Sequence, residues 1–179
     1  MDDKERLQRA QAFAEKKHDG QFRIGGDPYI THPMEVARIV KEQGYGIDYQ
    51  ITALFHDLLE DTDATEQEIE EIGGKNVLEA VKILTKEDGY VMAEYVAAIK
   101  QNEIAFAVKA ADRLHNLNSA LCTNTEFKRK YILETVDWYL GFSKEICQAV
   151  KTLAESLETP MTEMPFLYEP IESWKLHKV

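Results

Sequence analysis

Residues 51–62 read ITALFHDLLEDT, an apolar run followed at once by a histidine and three acidic side chains. The leucines and the phenylalanine recur at helical spacing, so the stretch predicts one amphipathic helix. Residues four apart share a helix face, which places His56 over Glu60 and Asp57 over Asp61. Burying a carboxylate without a partner is strongly unfavourable, and a divalent cation would compensate it.

Helical periodicity extends outward from this stretch, and no segment alternates convincingly with period two. The sequence therefore predicts an all-α fold, a helical bundle of roughly eight or more helices. A glycine- and aspartate-rich loop is expected over residues 19–29. The predicted helices cover residues 3–17, Pro33 to Gly44, 48–60, Thr65 to the Gly-Gly pair at 73–74, 75–84, 91–101, 104–120 and 125–157, the last with a kink near Gly141.

The length of 179 residues matches one domain. We predict a single domain over residues 1–157 and an irregular extension over 158–179, where three prolines and several apolar residues indicate packing on the same domain. The two cysteines, Cys122 and Cys147, form no CxxC pair and are expected to be buried, reduced thiols.

Charge and hydropathy exclude several classes of function. A formal net charge of −11 and the lack of a basic stripe argue against nucleic-acid binding. The charged N-terminus predicts no secretory signal, and no apolar run is long enough for a membrane span. We therefore expect a cytoplasmic protein with no membrane partner, and the oligomeric state is left open.

Two further polar residues lie where apolar neighbours predict burial. Asp112 follows the apolar run AFAVKAA, with Asn116 one turn later on the same face, and His32 begins a helix after the glycine-rich loop. With His56 and Asp57 they offer two imidazoles and two carboxylates, a set that suits Mn²⁺, Zn²⁺ or Fe²⁺. Four protein ligands on an octahedral ion leave positions for water and substrate.

Each residue also has a purely structural interpretation. His32 is in the position of a helix N-cap, and Asp112 is well placed for a buried ion pair with Lys109 or Arg113. A His-Asp dipeptide occurs by chance in many proteins. The metal hypothesis depends on the combination and its order along the chain.

That order resembles the HD metal-dependent phosphohydrolase superfamily. Three segments, HDGQFRIGGDPYITHP (18–33), ALFHDLLEDT (53–62) and VKAADRLHNL (108–117), are similar to motifs of the hydrolase domain of RelA/SpoT-type (p)ppGpp enzymes. The chain looks most like the stand-alone small alarmone hydrolases, including the metazoan SpoT homologue, with no synthetase domain expected to follow.

The resemblance implies a role for each matching residue. Its metal ligands are His32, His56, Asp57 and Asp112. Glu60 and Asp61 would position and activate the water, Arg23 would pack on the guanine base, and Asn116 would hold the nucleoside. The implied reaction is hydrolysis of the 3′-pyrophosphate of guanosine tetra- or pentaphosphate to GDP or GTP and pyrophosphate, usually with Mn²⁺. Ligand histidines bind in the neutral form, so metal affinity is expected to fall below about pH 6.5.

Three positions depart from the family pattern. Ile24 stands where a lysine is common, Gly25 where a serine is common, and Asn118 lies in a stretch that often carries an arginine. All three changes remove polar contacts to a nucleotide and leave the substrate open. The alternatives are an HD-type phosphohydrolase of another phosphorylated nucleotide, and a non-catalytic nucleotide-binding module.

Overall fold

The computed structural model of the protein describes residues 2–174. Within this range ten α-helices and two short 3-10 helices form, and β pairing is limited to one isolated bridge between Phe22 and Pro28, so the all-α prediction is confirmed. The helices are α1 (Asp3–Lys17), α2 (Thr31–Glu42), α3 (Ile47–Phe55), α4 (Leu58–Asp61), α5 (Glu66–Gly73), α6 (Lys75–Leu84), α7 (Met92–Gln101), α8 (Glu103–Ala120), α9 (Thr125–Trp138) and α10 (Lys144–Glu155), with 3-10 turns at Pro165–Tyr168 and Ile171–Ser173.

The chain divides into two compact units, Met1–Asp112 and Arg113–Val179. The predicted domain over 1–157 and extension over 158–179 stay predictions. No helix among residues 2–174 combines the length and the apolar character needed to cross a membrane.

Helix α3 is the centre of the first unit, where it packs against α1, α2, α5 and α6. Its residues Ile51 and Phe55 are fully buried, and Leu58 at the start of α4 joins the same core. The Phe13 and Phe55 rings meet edge to face, with 5.6 Å between their centroids. The apolar residues of ITALFHDLL therefore hold His56 and Asp57 next to the core.

The helix predicted over 48–60 is wrong as a continuous element, because it breaks at His56 and Asp57. In an unbroken helix the Ala53 carbonyl would accept the Asp57 N–H. Here the His56 imidazole Nδ1 lies 2.7 Å from that carbonyl oxygen and takes its place as donor. Asp61 N–H still donates to the Asp57 carbonyl at 2.9 Å, so those two residues remain one turn apart.

Other boundaries differ less. Ile30 is the N-cap of α2, so His32 lies inside the helix and is not its cap. The capping box of Thr65 and Glu68 is present at α5. The helix predicted over 125–157 is wrong as one element: it ends at Trp138, and Ser143 caps a new helix by accepting the Ile146 N–H at 3.2 Å.

In the second unit, residues 158–174 pack on α10. Met161 and Leu167 are fully buried, and the Lys151 ammonium group donates to the carbonyls of Leu167 and Glu169 at 3.3 and 3.0 Å. The remainder of the predicted extension, residues 175–179, lies outside the described residues. Both cysteines are free thiols. The burial prediction is confirmed for Cys147 and wrong for Cys122, which is exposed.

Candidate metal centre

Two short backbone segments and one long helix position the predicted ligands in the first unit. His32 lies in the first turn of α2, where its N–H donates to the Tyr29 carbonyl at 2.9 Å. His56 and Asp57 occupy the break between α3 and α4, and Asp112 lies on α8. The two histidines and Asp112 are at most 5% exposed.

The side-chain atoms of the four predicted ligands converge. His56 Nε2 lies 3.2 Å from His32 Nε2 and 3.1 Å from Asp57 Oδ2. Asp112 Oδ1 lies 3.1 Å from His32 Nε2 and 3.7 Å from His56 Nε2, and His32 Nε2 is 3.8 Å from Asp57 Oδ2. Ligands held about 2.0–2.2 Å from one ion at right or tetrahedral angles are roughly 3.0–3.5 Å apart. The separations of 3.1, 3.1 and 3.2 Å fall in this range, while those of 3.7 and 3.8 Å are somewhat longer, so the cluster is close to the size that a divalent ion requires.

The orientation of His56 is fixed from outside the cluster. Its Nδ1–H donates to the buried Ala53 carbonyl, and this leaves Nε2 directed at the other ligands. Such a hydrogen bond on the second ring nitrogen is typical of metal-binding histidines, because it sets the tautomer and the ring orientation. The same bond lies at the break between α3 and α4, so one contact is associated with both the backbone interruption and the orientation of a predicted ligand.

Charge within the metal-free cluster is balanced by a proton. Burial lowers the pKa of His32, although Asp112 opposes the shift. Burial also opposes protonation of His56, but the charge of Asp57 together with Asp112 outweighs it and raises the pKa of His56 to about 10. For the two carboxylates burial is likewise outweighed, chiefly by His56 for Asp57 and by Lys109 for Asp112, so both pKa values lie below the usual range. A divalent cation would displace the His56 proton.

The contacts of Asp112 agree with both the ion-pair interpretation and the metal-ligand interpretation. Lys109 Nζ donates to Asp112 Oδ2 at 2.9 Å, while Oδ1 faces the histidines. Arg113, the other expected partner, pairs with Glu134 at 2.7 Å within the second unit. Asp112 therefore uses one oxygen for the lysine and offers the other to the cluster.

Tyr29 is a member of the site that the sequence analysis missed. Its hydroxyl donates to Asp57 Oδ2 at 2.6 Å and lies 3.5 Å from Asp61 Oδ2. Burial, with the charge of Asp57, raises the pKa of Tyr29, so the hydroxyl keeps its proton. The available signal was its place three residues before His32, at the end of the glycine-rich loop.

The two acids of the predicted pair have different surroundings. Asp61 lies next to the cluster through Tyr29, and burial together with repulsion from Asp57 and Glu60 raises its pKa. Glu60 is engaged elsewhere, because its Oε2 accepts the Lys86 backbone N–H at 3.0 Å. The structure therefore separates a carboxyl near the ligands from one tied to the segment after α6.

The glycine-rich loop is attached to this acidic segment by Gln21. Its amide nitrogen donates to the Asp61 carbonyl at 2.7 Å, and its Oε1 lies 2.8 Å from Nδ1 of buried His18. Neither residue was predicted as part of the site. Their signal was only the motif HDGQ itself, which carries no helical periodicity.

The two predicted nucleoside contacts, Arg23 and Asn116, belong to different units of the chain. Arg23 is half-buried in a tight turn closed by its N–H to the Asp27 carbonyl at 2.8 Å. Its neighbour Ile24 is 76% exposed. Asn116 is half-buried on the part of α8 that belongs to the second unit. The roles predicted for Arg23 and Asn116 stay predictions.

A helical domain that brings together two histidines and two aspartates, three of the four buried, is typical of a metal-binding class of protein. The HD domain family matches residues 10–144, and the chain belongs to that family. Membership, with the cluster of His32, His56 and Asp57, supports binding of a divalent metal ion.

Two curated proteins are similar in sequence to this chain over most of its length. The chain is 32% identical over 164 residues to the bifunctional (p)ppGpp synthase/hydrolase SpoT of Escherichia coli K12, covering 85% of this chain and 23% of the relative. It is 35% identical over 181 residues to the GTP pyrophosphokinase rsh of Brucella suis, covering 94% and 23%. The chain thus spans about a quarter of the length of these relatives.

A solved structure supports the fold. A metazoan orthologue of SpoT, described as hydrolysing ppGpp, matches with a TM-score of 0.60 and 23% sequence identity. The match covers 81% of this chain and 85% of the other. The likeness extends over most of both chains and establishes a shared helical architecture.

Proposed function

We propose that the chain is a (p)ppGpp 3′-pyrophosphohydrolase. Water would attack the phosphorus attached to the ribose 3′-oxygen, the P–O3′ bond would break, and the products would be GDP or GTP and pyrophosphate. The observation that carries the proposal is the convergence of His32, His56, Asp57 and Asp112 beside Asp61. The substrate follows from the named relatives, whose (p)ppGpp chemistry we carry over to this site.

In this proposal His32, His56, Asp57 and Asp112 hold the metal. We assign Mn²⁺, with Zn²⁺ and Fe²⁺ as the ions to compare, because mixed imidazole and carboxylate ligands suit all three and carboxylates favour manganese. The bound ion would polarise the scissile phosphate and lower the pKa of a water molecule. Tyr29 and the Ala53 carbonyl hold two of the ligands in orientation.

The acid pair would handle the protons. Asp61, at 3.5 Å from the hydroxyl that binds Asp57, is placed to accept a proton from the attacking water and to return one to the leaving 3′-oxygen. Glu60, fixed to the Lys86 N–H, would orient the water by charge and hydrogen bonding. Gln21 holds the Asp61 backbone in place.

Recognition of the nucleoside is assigned to Arg23 and Asn116. The guanidinium of Arg23 would stack on the guanine base, and Asn116 would hydrogen-bond the nucleoside. Ile24, exposed beside Arg23, supplies apolar surface where the family pattern has a lysine. Loss of that cation is the observation that favours testing other phosphorylated nucleotides.

The test is a panel of phosphorylated nucleotides incubated with purified protein and Mn²⁺, with products identified by mass. Release of pyrophosphate from ppGpp supports the proposal. Cleavage of a nucleoside monophosphate without pyrophosphate release would assign the site to another HD phosphohydrolase.

Variants separate catalysis from binding. Asp61→Asn should abolish turnover and keep bound metal, whereas Lys75→Met, an exposed lysine change in the same unit, should alter neither. A non-catalytic nucleotide-binding module would show ligand binding without turnover in the wild-type protein, and Asp61→Asn would leave that binding little changed.

A further inference from the structure

Two lysines of the first unit surround one buried tyrosine. Lys86 Nζ lies 5.4 Å and Lys109 Nζ lies 5.8 Å from the centre of the Tyr95 ring. Lys86 Nζ is also 5.2 Å from the ring of Tyr90. Each distance is within the range of a cation–π contact, which holds an ammonium group without neutralising it.

The two lysines differ in their charge partners. Lys109 forms an ion pair with Asp112 at 2.9 Å. For Lys86, no carboxylate of residues 2–174 approaches its ammonium group within ion-pair distance, although acids outnumber bases by 32 to 21. Other lysines of the first unit, such as Lys17 and Lys82, do have carboxylate partners, at 3.0 and 2.8 Å. Among residues 2–174 the contacts of the Lys86 ammonium group are therefore with aromatic rings and not with a carboxylate.

The position of Lys86 is set by neighbours of the metal centre. Its backbone N–H is bound by Glu60, four residues after His56. Its ammonium group shares the Tyr95 ring with Lys109, which contacts Asp112. Tyr95 is itself anchored, because its hydroxyl donates to the Leu84 carbonyl at 2.8 Å. Both ends of Lys86 are thus held next to residues that border the site.

We propose that Lys86 is a phosphate-binding residue that contacts the outer phosphate of the substrate's 3′-pyrophosphate group. The inference rests on the proposed function, since the group that is cleaved must lie at the metal centre. The ammonium group of Lys86, whose backbone is bound by Glu60 and which shares the Tyr95 ring with Lys109, would then bind the outer phosphate of that group. Two rings hold the lysine in place, so little side-chain entropy is lost when phosphate binds.

The expected effect follows from the contact. A hydrogen bond between a charged donor and a charged acceptor is worth about 1.5–3 kcal/mol, which corresponds to a loss of affinity of about ten- to a hundredfold. The loss should depend on the outer 3′-phosphate. A purely structural role for Lys86 would weaken all nucleotides equally.

The test measures equilibrium binding to the Mn²⁺-loaded protein in an Asp61→Asn background, which keeps the four proposed ligands. Two nucleotides are compared, guanosine 5′-diphosphate 3′-diphosphate and guanosine 5′-diphosphate 3′-monophosphate. Lys86→Met should weaken the first by at least about tenfold and the second by less than about threefold. Lys86→Arg should restore most of the affinity, and Lys75→Met, the same charge change at the first residue of α6, should have no effect.

Equal weakening of both nucleotides, or of neither, would overturn the inference. Wild-type turnover is measured in parallel. If the wild-type protein releases no pyrophosphate, the proposed function fails, and the binding comparison still decides whether Lys86 recognises the outer phosphate. If turnover is present and the selective loss is absent, only the inference about Lys86 fails.

Discussion

Metal binding should release a proton from His56, and this is the sharpest consequence of the cluster geometry. Asp57 and Asp112 raise the pKa of His56 to about 10, while burial keeps His32 neutral. At pH 7, about three pH units below that value, only about one metal-free molecule in a thousand carries neutral His56. Deprotonation therefore opposes metal binding by about 4 kcal/mol at pH 7.

The cost of deprotonating His56 should appear in the pH dependence of metal affinity. Apparent affinity for Mn²⁺ should rise about tenfold per pH unit from pH 6 to 8, because each binding event displaces one proton. The reference histidine pKa of about 6.5, used in the sequence analysis, predicts instead that affinity levels off above pH 6.5. The two expectations separate between pH 7 and 8.

Isothermal titration calorimetry checks both the proton count and the affinity. Mn²⁺ is titrated into chelator-treated protein at pH 7 in two buffers with different enthalpies of ionisation. The difference in observed heat should correspond to about one proton per site. His56→Gln should remove that proton release, and His115→Gln, on the second unit, should retain it. Affinity that stays constant from pH 7 to 8 without proton release would refute the argument.

Three further predictions concern stability and ligand orientation. Tyr29→Phe removes the hydrogen bond to Asp57 and should lower metal affinity about 10- to 100-fold with little change in melting temperature, as measured by calorimetry and thermal unfolding. Phe55→Ala should destabilise the metal-free protein by about 3–5 kcal/mol in chemical unfolding, because the ring is fully buried; a loss below about 1 kcal/mol would contradict its place in the core. Since the pKa of His56 is raised in the folded state, its stabilisation of the metal-free protein is complete below about pH 6.5 and is lost as pH rises towards 10; thermal unfolding of His56→Gln in chelator should lack that decline.

The helical fold followed from patterns that act over a few residues. Apolar spacing located the helices α1, α6, α7 and α8 to within one or two residues, and the capping box at Thr65 located the start of α5. These signals are local, because a helix buries one face and each end needs a cap. Both wrong helices, over 48–60 and 125–157, failed where a side chain competes for the backbone.

A side chain occupies a backbone group at the first break and at the end of the second. The His56 imidazole takes the Ala53 carbonyl, and the Ser143 hydroxyl takes the Ile146 N–H. Periodicity continues across both positions, so apolar spacing gave no sign of either interruption. The sequence predicted a kink near Gly141. In the structure the break covers residues 139–143, between α9 and α10.

Sequence alone determined the helical class, the buried stripe of ITALFHDLL and the identity of the residues proposed as metal ligands. Their types and order are chemical information that needs no coordinates. Only the tertiary structure decided that Tyr29 supports Asp57, that Glu60 turns to Lys86 and that Lys86 lies beside Tyr95. The physical reason is distance along the chain: these partners are separated by 9 to 28 residues or by an unpredicted break, and spacing rules reach no further than one helical turn.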